Sequence, residues 1–242
     1  DIIPIFRPDR ERFLEYDLTK LIYNLSKPEK VVVSVISSLP IAADPQKNYE
    51  PWVVYKQATQ FFDLRTIGGN IREIDKDIDI LLIIQPDDLS ETTKYAIDQF
   101  ILRGGKMLAF VDPHIETKKR NNRENKNESI KKHGLYDLFN SWGIDVDFNS
   151  IIGDKNLAQR VTALSGGRRV VTSYLPWLSI DKRGLHSEDV ITSEIERVNV
   201  ASSGFIKLFD NSNLTLEPLV FSSKATQIIE AGKVINNPNP VQ

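Results

Sequence analysis

Two aliphatic runs of the chain each end in ionisable residues. Asp87-Asp88 follows Ile80 to Ile84, and Asp112-Pro113-His114 follows Lys106 to Val111. Neighbouring carboxylates at the carboxyl end of a strand can divide acid and base work between them, and an imidazole adds a group that titrates near neutrality. Asp87, Asp88, Asp112 and His114 are therefore the candidate ligand-binding residues. They permit an alternative reading as a hydrolase or carbohydrate-binding protein with its acids at the sheet edge. A structural role is the simpler account of each: acids before Ser90 favour a helix start, and Asp-Pro favours a turn. His133 and His186 lie in unrelated segments, so no metal-ligand or triad spacing emerges. No catalytic residue and no metal site is assigned.

Other patterns are weaker. Asp75-x-Asp77-x-Asp79 alternates like the opening of a calcium loop but lacks its glycine and distal glutamate, with Pro86 in the twelfth place. Solvated charge before a strand is the expectation there. Ser165-Gly166-Gly167-Arg168-Arg169 could form an anion-binding nest, though a plain turn between strands accounts for it better. Phosphate-cradling loops need glycine at the first strand-to-helix turn, where this chain has Ser37-Ser38-Leu39-Pro40. No nucleotide and no other cofactor is expected. The absence of cysteine excludes disulfides, thiolate metal sites and a cysteine nucleophile.

The elements that position these residues follow from periodicity. Ile80 to Ile84 reads as a strand buried on both faces, and Ser90 caps a helix whose Ala96, Ile97, Phe100 and Ile101 share one side. Gly104-Gly105 ends that helix, and Lys106 to Val111 returns as a central strand. Upstream, Asp9 to Leu25 predicts a helix, Val31 to Ile36 a strand, Trp52 to Leu64 a helix, and Ile71 to Ile74 a short strand. The fold expected is α/β: a three-layer α/β/α sandwich with a mainly parallel sheet, followed by a smaller irregular α+β part. In the latter, Leu135 to Trp142 predicts a helix, and Ile144–Val146, Ser150–Ile152, Arg169–Thr172 and Phe205–Leu208 predict strands. The expected organisation is a sandwich core over residues 1–114, a mobile polar loop over 115–134, a remainder over 135–235 and a disordered tail over 236–242.

The 242 residues carry 33 acidic and 31 basic side chains, a balance that gives no reason to expect nucleic acid as partner. The basic residues Lys118, Lys119, Arg120, Arg123, Lys131 and Lys132 could touch anionic lipid, but interleaved Glu124 and Glu128 favour a solvated loop. No run approaches the roughly 20 apolar residues of a membrane-spanning helix. Since the chain begins at Asp1, targeting or anchoring segments are expected outside it.

A resemblance adds to this reading. The strand ending in Gln85-Pro86-Asp87-Asp88-Leu89-Ser90, then Tyr95 to Phe100, Arg103 to Lys106 and Val111-Asp112-Pro113, resembles the GldG-like auxiliary component of ABC transport systems associated with gliding motility. Trp142-Gly143, Ile152-Gly153-Asp154, Tyr174 to Leu178 and Asn199 to Gly204 extend the match over most of the chain. The resemblance implies a non-catalytic extracytoplasmic domain at the periplasmic face of a bacterial inner membrane. It would be held there by segments outside this chain, beside ABC permease and ATPase subunits. Its α/β part is also similar to flavodoxin-like and class I glutamine-amidotransferase-like sandwiches, but the amidotransferase cysteine is missing. Self-association through apolar residues of Tyr174 to Leu178 is a further expectation.

Overall fold

A computed structural model describes residues 11, 14–26, 29–43, 49–116 and 134–236. The polar stretch around 117–133, the basic residues in it, the tail beyond Asn236 and the start of the first helix lie outside the described residues. The chain divides into two compact units, Asp1–Phe110 and Val111–Gln242.

The first unit is built on a four-stranded, all-parallel sheet. Helix α1 (Leu14–Ser26) precedes β1 (Val31–Ser37), followed by α2 (Val53–Ala58), β2 (Phe62–Thr66), β3 (Ile80–Ile84), α3 (Glu91–Leu102) and β4 (Lys106–Phe110). The strand order is β2-β1-β3-β4. One sheet face gathers Val33 and Val35 with Ile41, packed by Leu39, Tyr55, Phe62, Leu64, Ile80, Leu82 and Ile84. As the crossover between parallel strands β3 and β4, for which a right-handed path is the rule, α3 brings its buried Thr93, Ala96, Ile97 and Phe100 over the opposite face, which holds Leu81 and Ile83.

Helix α3 is fixed at both ends as its composition requires. Ser90 Oγ accepts a hydrogen bond from Thr93 N at 3.2 Å. At the other end Gly104 takes φ +90°, its N–H reaches Ile101 O at 2.9 Å, and Gly105 N reaches Phe100 O at 2.9 Å. This paired termination satisfies the last carbonyls of the helix. Gly105 has a second constraint, because a Cβ there would lie 2.4 Å from the Phe100 ring.

Four sequence expectations for this unit need correction. The helix from Trp52 stops at Ala58, and Phe62 to Thr66 is a strand, because Phe62 and Leu64 pack on the β1 face while their backbone pairs with Val31 to Val35. Ile71 to Ile74 is not a strand. Its backbone is satisfied instead by α3, with Thr93 Oγ1 accepting from Ile71 N at 2.9 Å and Arg103 Nη2 donating to Ile74 O at 2.5 Å. Strand β3 is fully buried only at Leu81 and Ile83, its other face being half covered. Strand β4 lies at the sheet edge rather than at its centre, with Leu108 51% and Phe110 55% exposed.

The second unit is antiparallel. It contains α4 (Tyr136–Ser141), β5 (Ile144–Val146), β6 (Ser150–Asp154), β7 (Ala158–Ser165), β8 (Arg168–Asp181), β9 (Arg197–Ala201), β10 (Ile206–Leu208), β11 (Thr226–Glu230) and α5 (Ala231–Asn236). These pair as β10-β5, β11-β6 and β7-β8-β9. Alternation along β6 sends Ile151 into a cluster with Tyr174, Ala231 and Val234, and Ile152 toward Leu157, Leu178, Ile180 and Leu185. The Tyr174 to Leu178 segment is thus mostly core: Tyr174 and Leu178 are buried in β8, which leaves them no surface for self-association. Pro176 is accommodated within the strand, its carbonyl accepting from Ser202 N at 2.8 Å.

Candidate functional site

In the first unit the sheet reverses direction of growth between β1 and β3, and the crevice at the carboxyl ends of these two strands is where open α/β sheets bind ligands. Here the loops after β1 and β3 are hydrogen-bonded to each other. Ser38 Oγ donates to Gln85 O at 2.6 Å, and Ser37 Oγ accepts from Leu39 N at 3.0 Å. Gln85 is buried with φ +44°, a left-handed conformation uncommon for a residue with a Cβ, and its N–H is held by Phe110 O at 2.8 Å. The loop after β3 is therefore tied to β1 and β4 at once. Asp87 and Asp88 follow it as exposed side chains immediately before the capped start of α3.

The acidic alternation before β3 also has structural work. Asp77 pairs with Arg65 at 2.5 Å, and Asp79 Oδ2 accepts from Val32 N at 2.8 Å. Hydrogen bonding by Arg65 lowers the pKa of Asp77. Among the described residues no group of three His, Cys, Asp or Glu side chains is placed to hold a metal ion.

Asp112 and His114 belong to the second unit. Asp112 retains an exposed surface, yet the protein around its carboxyl displaces water and raises its pKa. His114 Nε2 lies 3.8 Å from Glu116 Oε2. The other oxygen of that carboxylate, Oε1, accepts from Ser202 Oγ at 2.6 Å and from Trp177 Nε1 at 3.0 Å. Charge-assisted bonds of this kind are stronger than neutral ones, so Glu116 straps the 112–116 segment to β8 and to the turn after β9. Burial, and secondarily the Glu116 charge, raises the pKa of Tyr174.

A serine, a carboxylate and an imidazole are thus brought together, but not in an order that supports acyl transfer. Ser202 is fully buried with φ +53°, and its proton goes to Glu116 rather than to an imidazole. Sequence reasoning singled out Asp112 and His114 and missed Glu116, Trp177 and Ser202. Trp177 and Ser202 stand in the Tyr174 to Leu178 and Asn199 to Gly204 blocks of the resemblance, but no sequence signal singled out Glu116.

The most fully hydrogen-bonded carboxylate lies elsewhere in this unit. Asp154, at the end of β6, has no exposed surface. Its Oδ1 accepts from Asn156 N at 2.9 Å, Leu157 N at 3.2 Å and Ser223 Oγ at 2.8 Å. Its Oδ2 accepts from Ser223 N at 2.5 Å and Thr226 Oγ1 at 3.1 Å. Burial pushes its pKa up, but bonds from Ser223, Asn156 and Leu157 outweigh that effect, and the net shift is downward. With every lone pair taken, Asp154 is a structural clamp between β6 and β11 rather than a ligand site.

Fold and site together define an α/β protein that joins a small parallel sheet to an antiparallel unit, with Asp79, Glu116 and Asp154 committed to internal hydrogen bonds. Residues 30–241 match the family model described as an ABC-type uncharacterized transport system, and the chain belongs to that family, an auxiliary component of such systems. It is similar to an uncharacterized protein of Borreliella burgdorferi, 27% identical over 230 residues, which cover 92% of this chain and 43% of that relative. The chain therefore spans less than half of the curated relative it matches. No solved structure matches it. No helix among the described residues is long and apolar enough to cross a membrane.

Proposed function

We propose that the chain is a non-catalytic interaction domain of a GldG-like component. In this reading it acts at the extracytoplasmic face of the membrane beside the permease and ATPase of its transport system. Family membership over residues 30–241 carries the reading. The loops at the crevice support it: Ser38 Oγ and Gln85 O, at the edge where open α/β sheets bind ligands, are hydrogen-bonded to each other. Asp87, Asp88, Asp112 and His114 remain the residues to probe for a small ligand, and any link to gliding motility belongs to the same proposal.

The test is affinity capture of the full-length protein from detergent-solubilised native membranes. Permease and ATPase subunits are expected in the captured material. Recovery of the protein alone from a cytosolic fraction would overturn the proposal.

A further inference from the structure

The β7-β8 hairpin is longer than its sheet requires. Strand β9 pairs with β8 only from Trp177 to Asp181, so the outer part, Val161–Ser165 against Arg168–Thr172, is a two-stranded ribbon. Gly166 and Gly167 close it with φ +56° and +79°, the pair of left-handed residues that a two-residue hairpin turn demands. The sequence alternatives at Ser165 to Arg169 resolve to this turn.

From Val161 to Thr172 no residue of the ribbon is buried. Register places Arg160, Thr162 and Leu164 opposite Ser173, Val171 and Arg169, so these six share one exposed face. Leu164 is 73% and Val171 58% exposed. The side chains of Arg160 and Arg169 make no hydrogen bond or ion pair with any described residue. From Lys155 through Ile180 the sequence contains no acidic residue, in a chain that has more acids than bases overall. An isolated hairpin is marginal in water, and here it exposes aliphatic side chains between free guanidinium groups.

We infer that this face of the ribbon is a docking surface for an anionic lipid bilayer, with Arg160 and Arg169 on phosphate groups and Leu164 and Val171 at the acyl boundary. Guanidinium groups pair with phosphate oxygens, and short aliphatic side chains enter the interfacial zone at small cost. Size decides against a protein partner. A stable protein interface takes about 20–30 residues from each side, and the ribbon runs only from Val161 to Thr172. Its apolar residues are also aliphatic, whereas protein hot spots favour Trp and Tyr beside Arg. A bilayer requires only a few such contacts.

The test uses the purified chain with phosphatidylcholine vesicles, with and without phosphatidylglycerol, in a sedimentation assay. Binding is expected to the anionic vesicles only, to fall with added salt, and to weaken about fivefold for each arginine removed. The Arg160→Glu/Arg169→Glu variant should stay in the supernatant while keeping native circular dichroism, and Leu164→Ser should bind less than the parent. Equal sedimentation with neutral vesicles, or undiminished binding by the charge-reversed variant, would overturn the inference. So would variants that sediment like the parent but no longer retain a permease, which would assign the ribbon to a protein partner. Because the assay contains no transporter subunit, its outcome is independent of the capture experiment.

Discussion

Two buried polar side chains have opposite energetic meaning. Asp154 is fully satisfied, so Asp154→Ala removes the acceptor for donors from Asn156, Leu157, Ser223 and Thr226 and should cost about 3 kcal/mol of unfolding free energy, measured by urea denaturation. Its lowered pKa also fixes a sign: the stabilisation is complete above about pH 4, the unfolded value, and is lost as pH falls through the lower folded value. Asp154→Asn should therefore flatten the acid limb of the stability profile. A variant profile parallel to the parent's between pH 2 and 5 would contradict this assignment. Ser34 is the opposite case. Its Oγ is buried on β1 without a hydrogen-bond partner among the described residues, so Ser34→Ala should leave stability unchanged or raise it by up to about 1 kcal/mol in the same measurement. Neither role was legible in the sequence, because Ser223 and Thr226, which tie Asp154 to β11, lie some seventy positions away and the alternation of β1 does not say which face α3 covers.

At the scale of elements, the β3-α3-β4 unit was legible because each of its signals is local. Ser90 caps, the apolar side of α3 repeats with helical spacing, and Gly104 supplies the left-handed residue. Gly105→Ala tests how tightly that unit closes. The new methyl would meet the Phe100 ring at 2.4 Å, so thermal unfolding should shift down by an amount corresponding to about 1–3 kcal/mol. Gly69→Ala, whose Cβ would find Leu89 at 3.6 Å, is the control that should lose less. Elements whose signals are not local were missed or misread. Strand β2 was hidden in a helix prediction because Phe61, Phe62 and Leu64 fit either period, and only pairing with β1 decides between them. Strand β7 buries too little to show a pattern, β9 is short, and β11 is defined by its pairing with the distant β6. The 71–74 segment looked like a strand because Ile71 and Ile74 are apolar, but α3 side chains provide its hydrogen bonds.

At the scale of the whole molecule, alternation of strand and helix was enough to give an α/β class with a parallel sheet, and the order β2-β1-β3-β4 agrees with it. The division at Phe110 follows contacts between distant residues, which composition does not display. The candidate acids illustrate the same limit: position after a strand singled them out, but hydrogen bonds formed by other residues decide what the crevice can accept. The sheet's open edge also has a practical consequence. Strand β4 offers a backbone edge with no strand partner among the described residues, beside exposed Leu108 and Phe110, a template onto which another strand can add. The purified chain should show scattering that grows with concentration, and Leu108→Lys should suppress that growth while changing stability by no more than about 0.5 kcal/mol. Colloidal behaviour, rather than folding stability, then sets the concentration at which the protein can be stored and studied.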